Sequence, residues 1–182
     1  MEENKIQVTK LESARRQLET AIKLFFAGGD FVSIHALSYA AYGITRDLCD
    51  HSNNPTFFDR WIGDRFDKTR RDDFFKQVSE AAGFFKHADR EPAKILEYTL
   101  NQYELFLIIA VFQYEALTSE LTLPMGVFKI WFMKNRPGLL VEFNEQEKSQ
   151  LLKETSLPLD KASFYDLVSQ HIQLAERNTL KL

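Results

Sequence analysis

From Lys10 to Cys49, apolar side chains return every three or four residues along two successive stretches, and only Gly28-Gly29-Asp30 interrupts them. In the first stretch, Val8 to Ala27, the repeat is Leu11, Ala14, Leu18, Ile22 and Phe25, with Lys10, Arg15, Glu19 and Lys23 mostly off it. In the second, Ile34, Leu37, Ala41, Ile44 and Leu48 carry the same seam. A period near 3.6 residues places such side chains on one face of a helix, and that face has to be covered. Glycine tolerates the left-handed backbone that ends many helices, and an aspartate oxygen caps the next one. With so short a connection, the two helices are predicted to run antiparallel. A long helix hairpin is the frame to which the rest of the chain must fit.

Further along, His51-Ser-Asn-Asn-Pro55 has the composition of a turn. A short helix is predicted over 57–66 and a stronger one over 70–85. Asp89-Arg90-Glu91-Pro92 reads as a loop opening a helix from Ala93 to Thr118, because acidic residues and proline suit a first turn. That helix carries the run Leu105 to Phe112, eight apolar residues closed by Glu104 and Gln113. A helix apolar on all sides belongs in the middle of a bundle. A membrane span needs about 20 such residues, so no span is expected here.

After Leu123-Pro124, the residues Val127, Phe128, Trp131 and Phe132 predict a short helix that Arg136-Pro137-Gly138 stops. Leu139 to Phe143 reads as a brief extended piece. Asn144 with Glu147 resembles a capping box, and Ser163 with Asp166 repeats it before a last helix to about Arg177. The fold class expected is all-α: a helical bundle over residues 1–136 built on the hairpin, with a small C-terminal helical extension, 137–182, packed on the same core. Sixteen phenylalanines against seven glycines and five prolines favour long helices over a loop-rich β fold. At 182 residues, roughly 70% of the unfolded surface can be buried without staples.

Charge and cysteine usage narrow the function classes. Twenty-three basic and 26 acidic residues leave a formal net charge of −3, which exerts no general pull on nucleic acid or an anionic membrane. The single cysteine, Cys49, excludes an intrachain disulfide and a cysteine-rich zinc cluster. Flanked by Asp47 and Asp50, it reads as a buried structural thiol rather than a nucleophile. The N-terminus has no basic start followed by an apolar stretch, so the expected compartment is the cytoplasm. No His pair has metalloprotease spacing, and no glycine-rich phosphate loop or nucleophile elbow occurs, so neither a cofactor nor a metal is expected.

Three places carry candidate chemistry. Phe84-Phe85-Lys86-His87-Ala88-Asp89-Arg90 crowds four ionisable groups where a helix ends. His87 could work as acid or base with Asp89, and Lys86 or Arg90 could neutralise an anion. The alternative is a basic helix terminus followed by an acidic cap. His35, Tyr39, Tyr42 and Arg46 form a stripe that could line a ligand pocket or stack on a base, or simply pack on a neighbouring helix or subunit. Phe128, Trp131, Phe132 and Met133, among Lys129, Lys134 and Arg136, could form a partner-binding helix, although their spacing fits a buried face.

The opening hairpin resembles the HEPN-like superfamily of small helical bundles widespread in bacteria. Ala14, Leu18, Ala21 and Leu24, the turn Gly29-Asp30-Phe31, and Ala36-Leu37-Ser38-Tyr39-Ala40-Ala41-Tyr42 carry the likeness, which covers residues 10–118 at most. The resemblance implies a homodimer. It also implies, for the RNases of that superfamily, an Arg followed after four to six residues by His. Arg46 and His51 have that spacing, although at the close of the second helix rather than on a later one. This departure puts RNase activity in doubt. The expected function is a non-catalytic or diverged module binding a nucleotide, RNA or a protein. The alternatives are a nuclease or phosphohydrolase using His87 and Asp89, with His35 as a further candidate, and a structural adaptor without a small-molecule site.

Overall fold

The structure, a computed structural model, describes residues 5–57, 68–89, 91–136 and 160–179. Among them are six helices and no strand: α1 Lys10–Phe26, α2 Phe31–His51, α3 Lys68–Lys86, α4 Asn101–Thr118, α5 Leu123–Asn135 and α6 Lys161–Thr179. The all-α bundle expected from the periodicity is what forms. The readings over 58–66, 139–143 and 144–154, and the boundary at Pro137-Gly138, lie outside the described residues.

The hairpin follows its local chemistry. Thr9 Oγ1 accepts from Glu12 N at 3.1 Å to open α1. Gly28 takes φ +68°, the left-handed turn that closes it. Gly29 lies so close to α1 that a Cβ there would meet the Leu24 carbonyl oxygen at 3.0 Å. Asp30 caps α2 as the sequence predicts, accepting from Ser33 N at 2.9 Å. Ala14, Leu18, Ala21, Ile22 and Phe25 on α1 then bury together with Ile34, Ala41 and Tyr42 on α2.

α4 is the axis. Every residue from Phe106 to Tyr114 is buried, so this stretch has no wet face. It packs against α1, α2 and α5, while the Phe106 ring also meets Phe74 of α3. Each large side chain so enclosed contributes about 1.5–3 kcal/mol of transfer free energy. A polar side chain of α4 lies within this stretch. Gln113, with no exposed surface, accepts from the Phe57 amide at 2.7 Å and donates to Cys49 Sγ at 3.1 Å. Cys49 is accordingly a buried structural thiol.

Two expectations need correcting. The helix predicted from Ala93 begins only at Asn101, and residues 91–100 form a non-helical strap. Glu91 and Pro92 close a turn, with Lys94 N donating to Glu91 O at 3.0 Å, and Lys94 and Tyr98 are then held by partners on α3 and α2. Tertiary contacts override a helix-compatible sequence at that point. The last helix is capped by Asp160, whose Oδ1 accepts from Ser163 N at 2.8 Å; Ser163 lies inside the helix rather than at its start. The aromatic face of α5 is the buried face that its spacing fits, with Phe128, Trp131, Phe132 and Met133 all in the interior, and not a surface for a partner.

α6 is held by apolar and ionic contacts at once. Phe164 and Val168 belong to the same core cluster as α1, α4 and α5. At its first turn, Lys161 Nζ sits 3.5 Å from the Phe25 ring centroid and 5.5 Å from that of Trp131, a cation–π arrangement. Glu104 of α4 faces that ammonium at 3.9 Å and accepts from Arg136 Nη2 at 2.9 Å. Burial lowers the Lys161 pKa, and the Glu104 charge opposes that shift. One carboxylate thereby ties together α4, the end of α5 and α6.

Candidate functional site

The C-terminal half of α3 and the strap that follows it face each other across a groove of about 450 Å³. Glu80, Gly83, Phe84 and His87 line one side of it, and Asp89, Glu91 and Lys94 come from the returning chain. Here α3 ends with three consecutive side chains of different character, the half-buried Phe85 and the exposed Lys86 and His87. The His87 amide still donates to Gly83 O at 3.0 Å, so the imidazole is carried on the last helical bond. Phe84 is turned outward, with 37% of its surface exposed.

Glu80 and Lys94 clasp the two sides. Lys94 Nζ donates to Glu80 Oε1 at 2.9 Å and lies 3.3 Å from Glu91 Oε2. Its hydrogen bond to Glu80 and the charges of both carboxylates raise its pKa, and the same contact holds the Glu80 carboxyl below its ordinary value, with Lys76 adding to the effect. These are surface pairs whose strength salt diminishes. The lining then presents Glu80, Asp89 and Glu91 against one ammonium that is already engaged twice.

The sequence-predicted residues distribute as follows. His87 and Asp89 both line the groove, and Lys86 stands exposed on the last turn of α3. Arg90 lies outside the described residues. His35 has no exposed surface, and both ring nitrogens are engaged: Nε2 with the Val78 carbonyl at 3.1 Å and Nδ1 with the Tyr98 hydroxyl at 2.9 Å. Tyr42 is buried between Phe75 and Phe106, while Tyr39 donates to Ser79 Oγ at 3.1 Å. That stripe is the seam between α2 and its neighbours α3 and α4.

Arg46 is exposed and pairs with Asp47 at 2.8 Å, a hydrogen bond that raises its pKa. His51, also exposed, is the last residue of α2. Five residues along a helix turn the side-chain direction by about 140°, so the two do not share a face. Among the described residues, no three His, Cys, Asp or Glu side chains converge as a metal site would require. No helix among them is long and apolar enough to cross a membrane.

Glu80, Lys94 and Tyr98 were not visible as site residues in the sequence. Glu80 and Lys94 are 14 positions apart and meet only because the chain reverses after α3, a relation no local spacing encodes. No known family, characterised protein or solved structure matches the chain.

Proposed function

We propose that this chain is a HEPN-like helical module, non-catalytic and homodimeric, that binds a basic, partly apolar segment of a partner protein in the groove between α3 and the strap. The observation that carries this reading is the charge of the lining: three carboxylates against one doubly engaged lysine, beside an outward-facing Phe84. A cationic side chain arriving there gains carboxylate partners and an aromatic face. The helix hairpin with its Gly-Asp-Phe turn supports the HEPN-like assignment. RNA is disfavoured at this groove because its phosphates would approach like charge.

The hydrolase alternative draws on His87 and Asp89 sharing one groove. A phosphate ester would enter the same carboxylate field, and His35 is enclosed away from any substrate. Protein binding is therefore the reading preferred.

The test uses two labelled probes, a lysine–leucine peptide and a single-stranded oligoadenylate, in fluorescence anisotropy at moderate salt. The peptide should bind and the oligoadenylate should not. Glu80→Gln and Asp89→Asn should each weaken the peptide about two- to fivefold, the range expected for exposed charge pairs. Tighter binding of oligoadenylate, or indifference to both substitutions, would refute the assignment. Light scattering at twice the mass of one chain would support the homodimer, and a single-chain mass would remove it.

A further inference from the structure

Tyr98 is the aromatic anchor of the strap that forms one wall of the groove. Tyr98 enters a socket whose walls are Phe31 and His35 of α2 and Phe85 of α3, with ring centroids 5.1, 5.6 and 5.7 Å away. Of the neighbouring apolar residues of the strap, Leu96 is half-buried like Tyr98, whereas Ile95 is 88% and Leu100 60% exposed. The other anchor is the surface pair of Lys94 with Glu80.

Hydrogen-bond chemistry fixes the state of His35. The Val78 carbonyl can only accept, so Nε2 carries the proton. In the neutral ring, Nδ1 is then an acceptor, and the Tyr98 hydroxyl must donate to it. Burial pushes the Tyr98 phenol well above its ordinary value, so the hydroxyl keeps its proton. Facing the ring are Tyr39 on α2, Val78 and Phe85 on α3, Tyr98 on the strap and Phe106 on α4. No carboxylate or cation is among these contacts. A proton added at Nδ1 makes the Tyr98 hydroxyl rotate to accept instead of donate, and it leaves a buried charge with no counter-ion, which is the larger cost.

We propose that His35 and Tyr98 form a proton-operated latch: protonating the imidazole unseats Tyr98 and frees the strap bearing Glu91 and Lys94 of the groove. The latch stands by itself on the socket geometry; only its effect on partner binding rests on the groove reading above. Direction follows from the ring's environment. Burial lowers the pKa of His35 in the closed form, and opening returns it towards the ordinary 6.5. The closed form binds fewer protons, so latching is complete above about pH 6.5 and weakens as the pH falls towards the closed-form value. The open-to-closed ratio rises by at most about tenfold per pH unit in that window.

Reciprocity supplies a test that needs no partner. If protonation opens the latch, an open latch must raise the proton affinity of His35 by the same factor. The imidazole signals of the full-length chain are followed by NMR across pH 4 to 8, a range set by the ordinary value of histidine. In the unmodified chain the ring should titrate below 6.5; in Tyr98→Ala, where water enters the socket, the midpoint should move up towards 6.5. Tyr98→Phe, which fills the socket without the hydroxyl, should stay close to the unmodified chain. Two results overturn the latch: equal midpoints in the unmodified chain and Tyr98→Ala, or a ring in the unmodified chain that titrates at 6.5 or above. Neither depends on whether the groove binds a peptide.

Discussion

Phe106→Ala is expected to cost about 3–5 kcal/mol, the range for truncating a fully enclosed aromatic ring, and so to remove much of the stability of a domain this size. Phe106 has no exposed surface, and its ring meets those of His35, Tyr39, Tyr42 and Phe74. It therefore joins α4 to α2 and α3 in one place. The void left cannot close readily, because its walls are stiff rings on two other helices that are themselves packed. Guanidinium unfolding followed by far-ultraviolet circular dichroism reads the change as a fall in midpoint at constant slope. A loss below about 1 kcal/mol would mean that the α4 core collapses around the cavity.

Glu104→Leu has the second largest expected effect, about 1.5–3 kcal/mol, typical of losing hydrogen bonds to charged groups at a partly buried site. The carboxylate is mostly covered, with 11% of its side chain exposed, and it faces both Arg136 and Lys161. Without it two cations of like sign remain, one of them over the Phe25 ring. Both cations keep some solvent contact, which holds the cost below that of a fully buried pair. The damage should be local. Hydrogen exchange is predicted to show faster opening of α6, with α4 amides little changed. Glu104→Gln, which keeps one acceptor oxygen for Arg136, should recover part of the loss.

The hairpin was legible in the sequence because everything that shapes it lies within a few residues. The seam from Leu11 to Phe25, the Gly28-Gly29 break and the Asp30 cap each encode their own geometry. The axial position of α4 was legible for a related reason, since a helix without a polar face has only one place to go. Its starting point was not. Ala93 to Leu100 contains nothing that forbids a helix, and what prevents one is the seat of Tyr98 on His35, 63 residues earlier in the chain. At α6, Ser163 and Asp160 both satisfy the local rule for a cap, and the rule alone does not choose between them.

The candidate site was half legible. Crowded ionisable groups at Lys86 to Arg90 marked the end of α3 as unusual, and His87 with Asp89 does line the groove. The sequence could not show that Glu80 and Glu91 turn that end acidic, because their meeting with Lys94 depends on the path of the strap. Nor could it place the His35 stripe. A helix with apolar residues on one face and aromatics beside them fits a ligand pocket and a second packing seam equally well. Which it is depends on whether another helix covers it, and here α3 and α4 do.

The buried faces of the helices are committed to packing, and the working surface we propose is the groove between α3 and the strap. Mapping amide chemical-shift changes while the lysine–leucine peptide is titrated into the full chain tests this most directly. The changes should gather on Glu80, Phe84, His87, Asp89, Glu91 and Lys94 and leave the far end of α2 unmoved. That assignment would be contradicted if the peptide shifted nothing in that set while oligoadenylate moved the amides around Arg46 and His51.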